Sequence, residues 1–224
     1  MRGSLQKKVA VLGARYGNLN IEKEMLAPMG VRLVEGAGNE EKETLSVCQG
    51  AQVILCGGAP KIRASLIRQL PKLKAIVRYG VGVDRIDLDE ATRRGVYVIN
   101  VPDYCIEEVA THAITLVLAW VRKLPVAYRN TTNGEWDIGP LRPLESARDL
   151  IVGLVGFGRI AQGVARMARA IGFQAWAADP FVKRNYIQRK GVKSAPFKLL
   201  IQSADFISLH LPLNSTTYHL IGEQ

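Results

Sequence analysis

Short apolar runs recur along the first hundred positions, at Lys8 to Leu12, Val31 to Val34, Val53 to Leu55, Lys74 to Arg78 and Val96 to Ile99, about every 22 residues. The runs are continuous rather than alternating and rich in β-branched residues, and the stretches between them carry helical spacing. Strands buried on both faces read that way, so the pattern predicts a parallel five-stranded sheet covered by helices, a doubly wound α/β domain of the flavodoxin-like kind. After Asn100-Val101-Pro102 the period changes. Ile106, Val109, Ala110, Ala113, Leu116, Val117 and Trp120 form a broad apolar face on a helix expected from Asp103 to Leu124. Asp103 is its expected cap, Glu107 and Glu108 suit the dipole of its first turn, and Pro125 closes it. From Arg129 to Arg148 the periodicity is lost, which predicts a loop bearing Trp136. A second doubly wound unit is expected from Leu150, with strands at Leu150 to Val155, Phe173 to Ala178, Val192 to Ser194 and Asp205 to Leu209. Its first helix is expected from Arg159 to Ile171, with Ile160, Val164, Met167, Ala168 and Ile171 on one face. Two domains follow from this pattern, 1–102 and 103–224, the second stopping after four of the six strands such a domain normally has.

Composition narrows the class without naming it. With 224 residues and 48% hydrophobic content the chain can bury cores of this size. No apolar run approaches the ~18 residues of a membrane span and the N-terminus has no signal-peptide core, so no membrane partner and a cytoplasmic location are expected. Cys48, Cys56 and Cys105 are widely spaced without a C-x-x-C, which indicates packed, reduced thiols rather than disulfides or a metal site. A net charge of +10 would suit a polyanion, yet the 30 Lys and Arg are scattered along exposed helix positions such as Lys61, Arg63, Arg68, Arg93 and Arg94. No basic run is interleaved with aromatics, so nucleic acid is not an expected partner.

The chemistry gathers between 150 and 180. The run Leu150 to Val155 leads into Gly156-Phe157-Gly158-Arg159-Ile160-Ala161, then a helix, a second apolar run and Asp179, the order of a dinucleotide-binding βαβ unit. Gly156 suits the tight turn, Gly158 leaves room for a pyrophosphate, and Ala161 lets the helix pack closely on its strand. The helix N-terminus offers amide groups and a positive dipole end to the phosphates. Asp179 follows Gly158 by 21 residues, where a carboxylate can accept the hydroxyls of the adenosine ribose and repel a 2′-phosphate. That favours NAD over NADP, with Lys183 and Arg184 as the residues that could hold a 2′-phosphate in the opposite case.

With this turn, four blocks stand in order along the chain: Arg78-Tyr79-Gly80-Val81-Gly82-Val83-Asp84-Arg85-Ile86-Asp87, Asn100-Val101-Pro102, Leu154-Val155-Gly156-Phe157-Gly158-Arg159-Ile160 and Ser208-Leu209-His210-Leu211-Pro212-Leu213. Together they resemble the D-isomer-specific 2-hydroxyacid dehydrogenases. The resemblance implies an N-terminal substrate domain and a nicotinamide-binding domain, with hydride transfer between NAD and a small 2-hydroxy or 2-oxo acid. It places the substrate carboxylate on the backbone amides of Val81 and Gly82, with Asp84 fixing their loop. Glycines flanking Val81 at a strand end are compatible with such an anion nest on physical grounds alone. By the same resemblance Phe157, Gly158, Arg159 and Ile160 meet the pyrophosphate, Asp179 the adenosine ribose, and His210, Leu211, Pro212 and Thr217 the ribose and nicotinamide side.

The family's catalytic Arg, Glu and His match no position in these 224 residues, and His112, His210 and His219 do not stand where the acid/base belongs. The chain therefore reads as an N-terminal piece of a longer enzyme, able to bind NAD and, alone, to turn over poorly or not at all. Thr111 and Arg85 replace an acidic residue and an Asn common in the family, and Cys56-Gly57-Gly58-Ala59 lacks the Arg of phosphoglycerate-type members, which weakens 3-phosphoglycerate as substrate. A NAD-sensing regulator resembling the C-terminal-binding corepressors, using Tyr104-Cys105 and no turnover, shares the Asn100 to Cys105 segment and stays open. The long apolar helix and the Trp136 loop resemble the family's dimer contact, so a homodimer is expected.

Overall fold

The computed structural model describes residues 7–14, 17–58 and 61–222, and these divide into two compact units within Met1–Tyr104 and Cys105–Gln224. The expected boundary stood two residues earlier, after Pro102.

In the first unit β1 (Lys7–Leu12), β2 (Val31–Gly36), β3 (Val53–Cys56), β4 (Ala75–Arg78) and β5 (Tyr97–Ile99) form one parallel sheet in the order β2-β1-β3-β4-β5. That is the flavodoxin-like order, whose direction reverses between β1 and β3. The crossovers carry α1 (Asn20–Leu26), α2 (Glu41–Cys48), α3 (Ala64–Arg68) and α4 (Leu88–Arg93). Ala10, Leu12, Ile54, Cys56 and Ile76 from the strands meet Cys48, Leu66, Ile67 and Ala91 from the helices in one core. Ile54, Cys56 and Ile76 are fully buried on the face that meets these helices, and the alternate positions Val53, Leu55, Ala75 and Val77 are half-buried. Asp87 caps α4, its Oδ1 accepting from the Glu90 amide at 2.8 Å.

The second unit opens with α5 (Ile106–Val121), followed by α6 (Leu124–Thr132). The single helix expected from Asp103 to Leu124 is thus corrected at both ends. Cys105, not Asp103, occupies the cap position, and the axis bends by 64° between the two helices. Lys123 takes a left-handed φ of 53°, and Pro125 sits in the first turn of α6, where its missing N–H costs no helical bond. Pro125 therefore starts a helix instead of ending one, and residues 129–132, expected as loop, are helical.

The sheet of this unit contains β6 (Ile151–Val155), β7 (Gln174–Ala178), β8 (Lys193–Ser194) and β9 (Phe206–Leu209), all parallel, in the order β8-β7-β6-β9. Its helices are α7 (Arg159–Ile171), α8 (Arg184–Arg189) and α9 (Phe197–Ser203). Ala110, Ile114, Val117 and Val121 bury one side of α5 against α7. Of the rest of the broad apolar face, Ile106 and Ala113 are half-buried, while Val109, Leu116 and Trp120 lie exposed. The buried face of α7 is likewise shifted, comprising Ala161, Gly163, Val164, Ala165 and Ala168, while Ile171 reaches solvent. Small residues dominate because α7 is squeezed between the sheet and α5: a Cβ on Gly163 would lie 3.0 Å from that of Ala110.

Candidate functional site

β6 ends in a turn that only glycine fits comfortably. Gly156 has φ +88°, and a Cβ there would stand 2.5 Å from the carbonyl oxygen of His210. Its amide donates to the Ala178 carbonyl at 2.9 Å and the His210 amide donates to the Val155 carbonyl at 2.8 Å, so the carboxyl ends of β6, β7 and β9 are pinned together. Phe157 then buries its ring in the core, and its N–H donates to Asp179 Oδ2 at 2.7 Å. The other oxygen, Oδ1, accepts from the amides of Phe181 at 2.8 Å and Val182 at 3.1 Å. Asp179 thus fastens the glycine turn to the end of β7.

Gly158 begins α7 with no side chain capping the helix, and a Cβ on it would meet nothing within 4 Å. The positive end of a 13-residue helix faces that open space, beside exposed Arg159, half-buried Ile160 and buried Ala161. An uncapped N-terminus with a vacant flank and an acid at the next strand end fit a dinucleotide's diphosphate and ribose. Gln162 braces the turn, its Nε2 donating to the Phe157 carbonyl at 3.2 Å while its Oε1 accepts from Tyr186 OH at 3.1 Å. Lys183 and Arg184 stand at the start of α8 with exposed side chains.

Beyond β9, His210 Nε2 pairs with Ser208 Oγ at 2.9 Å, and burial pushes the imidazole pKa below its ordinary 6.5. The ring is neutral at neutral pH, its tautomer deciding which partner donates. Leu211 packs on the cluster of Val155, Ala178, Ala195 and Leu200. Thr217 closes the following loop: its hydroxyl donates to the Pro212 carbonyl at 2.6 Å and accepts from the Asn214 amide at 2.9 Å.

In the first unit, the loop after β4 carries Val81 and Gly82, both exposed. Arg78 Nε donates to the Gly82 carbonyl at 3.1 Å and Nη1 to that of Tyr79 at 3.1 Å, while Asn100 Nδ2 donates to the Val81 carbonyl at 2.8 Å. A Cβ on Gly82 would stand 2.9 Å from Asp84 Oδ1. Tyr79 OH donates to Glu22 Oε1 at 2.9 Å. Cys48 and Cys56 are buried, their thiols pushed up to about 12 and about 11 by desolvation, which keeps them protonated and unreactive. Ala59, which completes the segment compared above with phosphoglycerate-type members, lies outside the described residues. Among the described residues no group of three His, Cys, Asp or Glu could hold a metal ion, and no single helix is long and apolar enough to cross a membrane.

The structure brings Gly156, Phe157, Gly158, Asp179 and His210 to one edge of one sheet, and Val81 and Gly82 to the corresponding edge of the other. Sequence reasoning missed the bracing roles of Arg78, Asn100, Gln162 and Ser208. Three of these, Arg78, Asn100 and Ser208, stand inside the quoted blocks, but nothing in their spacing reveals whom they hold.

These features define a dinucleotide-binding α/β protein with a flavodoxin-like domain ahead of its Rossmann domain. Residues 114–224 match the NAD-binding domain of the D-isomer-specific 2-hydroxyacid dehydrogenases. A glyoxylate reductase of Korarchaeum cryptofilum is 36% identical over 166 residues, covering 73% of this chain and 50% of its own length. A D-3-phosphoglycerate dehydrogenase of Archaeoglobus fulgidus is 34% identical over 194 residues, covering 87% of this chain and 37% of its own. Among solved structures, a D-lactate dehydrogenase from Aquifex aeolicus complexed with NAD and lactic acid superposes with a TM-score of 0.85 at 26% identity, covering 93% of this chain and 62% of that one. The chain belongs to the D-isomer-specific 2-hydroxyacid dehydrogenase family and carries its NAD-binding domain. It spans half the length of the first of these curated relatives and less of the second.

Proposed function

We propose that the protein is an NAD-dependent oxidoreductase that interconverts a 2-hydroxy acid and the corresponding 2-oxo acid. The observation that carries this reading is the loop of Val81 and Gly82, two exposed backbone amides at the carboxyl edge of a parallel sheet, in a chain that also holds an NAD-binding domain. Val81 and Gly82 bind the substrate carboxylate. Gly158, Arg159 and Ile160 receive the pyrophosphate at the N-terminus of α7, with Gly156 and Phe157 shaping the turn beneath it. Asp179 has three of its roughly four acceptor positions taken by backbone amides, which leaves about one for a ribose hydroxyl and none that welcomes a 2′-phosphate. His210, Leu211, Pro212 and Thr217 line the ribose and nicotinamide side, with His210 neutral. NAD, when bound, supplies the hydride acceptor, and no residue of this chain is assigned the proton transfer at C2.

The test is NADH oxidation by the full-length protein with glyoxylate, pyruvate and phosphohydroxypyruvate, beside titrations of NADH and NADPH. Turnover of one acid with NADH binding the tighter is the expected result. Saturable NADH binding without turnover of any of them would replace the dehydrogenase by an NAD-sensing regulator. Absence of NADH binding would overturn both.

A further inference from the structure

Four consecutive carbonyls in the substrate loop are each held by a donor. Tyr79 O accepts from Arg78 Nη1 at 3.1 Å, Gly80 O from the Val101 amide at 3.1 Å, Val81 O from Asn100 Nδ2 at 2.8 Å, and Gly82 O from Arg78 Nε at 3.1 Å. In a trans peptide the carbonyl and the following N–H point in opposite directions. Fixing Gly80 O and Val81 O therefore fixes the Val81 and Gly82 N–H groups on the far side, and among the described residues neither amide makes a hydrogen bond. We infer that Arg78 and Asn100 are positioning residues, a two-sided clamp that turns the Val81 and Gly82 amides toward a carboxylate. The inference rests on the reading of this loop as the carboxylate site.

Each side of the clamp has a distinct job. Asn100 and Val101 lie at the end of β5, 19 and 20 residues beyond Val81, so the Asn-Val-Pro block serves the glycine loop rather than its own segment. Arg78 is half-buried, its Nη1 reaching the Cys56 carbonyl at 3.4 Å as well, so that one guanidinium ties the loop to the end of β3. A planar fork holds these separated carbonyls from two nitrogens at fixed angles, whereas an ammonium donates from a single nitrogen. Oriented amides held before binding spare an anion the cost of ordering them.

The experiment uses the full-length protein with NADH present and glyoxylate as the probe, reading glyoxylate affinity, NADH affinity, melting temperature and the amide resonances of Val81 and Gly82. In the unsubstituted protein those two resonances are expected to move on titration. In Asn100→Asp, which keeps the shape and loses the donor, and in Asn100→Ala, glyoxylate affinity is expected to fall roughly tenfold with NADH affinity and melting temperature nearly unchanged. Arg78→Lys is expected to behave like Arg78→Met, because geometry and not charge is what the guanidinium supplies. Full glyoxylate affinity in both Asn100 variants, or rescue by Arg78→Lys, overturns the clamp while leaving the loop as the carboxylate site. If the Val81 and Gly82 resonances of the unsubstituted protein ignore glyoxylate, the carboxylate site falls and the clamp with it.

Discussion

A methyl group tells the two glycines of the nucleotide turn apart. At Gly156 it would sit on backbone with φ +88° and press the His210 carbonyl from 2.5 Å, so neither its own conformation nor its neighbour yields cheaply. Gly156→Ala is expected to lose about 2 to 4 kcal/mol of stability and NADH binding with it, read by thermal melts and calorimetry. At Gly158 the backbone is extended, φ −72°, and the methyl meets nothing within 4 Å. Gly158→Ala is expected to keep the melting temperature within a degree or two and still weaken NADH, since the vacant flank is where the phosphates go. Weakened NADH binding without any loss of stability in Gly156→Ala, or unaltered NADH binding in Gly158→Ala, would refute this division of roles. His210 carries a pH signature of its own. Its folded pKa lies below 6.5, so the unfolded chain takes up the proton first and stability falls as pH drops below 6.5, until the folded pKa is passed. Denaturant melts between about pH 5 and 7 should show that slope, reduced in His210→Gln; an equal slope in both proteins would place its origin elsewhere.

Elements differ in how openly the sequence announces them. The strands β1 to β9 were legible because a parallel sheet favours short unbroken apolar runs, of which Val53 to Cys56 and Ile151 to Val155 are the plainest. The turn from Gly156 to Asp179 was legible because its logic is local. α6 was hidden, since Lys123 and Pro125 look like punctuation when in fact a left-handed residue and an N-terminal proline bend one helix into the next. The bonds that fix the site were hidden for a different reason: Phe157 to Asp179 and Asn100 to Val81 join residues 22 and 19 apart, brought together only by strand register. The face of α7 was half legible. Its apolar spacing pointed to Ile171, but close packing on α5 selects Ala161, Gly163 and Ala165, where size rather than hydrophobicity decides. Gly163→Val should therefore cost about 1 to 3 kcal/mol by forcing α5 away from α7, and Gly163→Ala less, since a single methyl meets the Ala110 methyl at 3.0 Å. Equal melting temperatures for the two variants would mean that the helices separate without penalty.

At the scale of the whole molecule the unexplained surface is aromatic. Trp120 is 67% exposed, Tyr128 73% and Trp136 93%, with Leu116 and Leu124 also open to solvent on the same two helices. One exposed aromatic is ordinary, but a run of them along α5, α6 and the loop that follows is more apolar surface than a monomer usually leaves wet. We propose that a second copy of the chain covers it, giving a homodimer whose twofold contact centres on Trp120. Burying the three aromatics once per subunit would remove several hundred Å² of apolar surface, enough to anchor a standard interface. Light scattering on the full-length protein is then expected to return twice the monomer mass, with a melting temperature that rises with protein concentration because only the folded state pairs. Trp120→Glu places a charge in the middle of the contact and should yield monomers that still bind NADH, since Trp120 takes no part in the nucleotide turn. A monomeric unsubstituted protein, or a dimer indifferent to Trp120→Glu, would assign those aromatics to another partner.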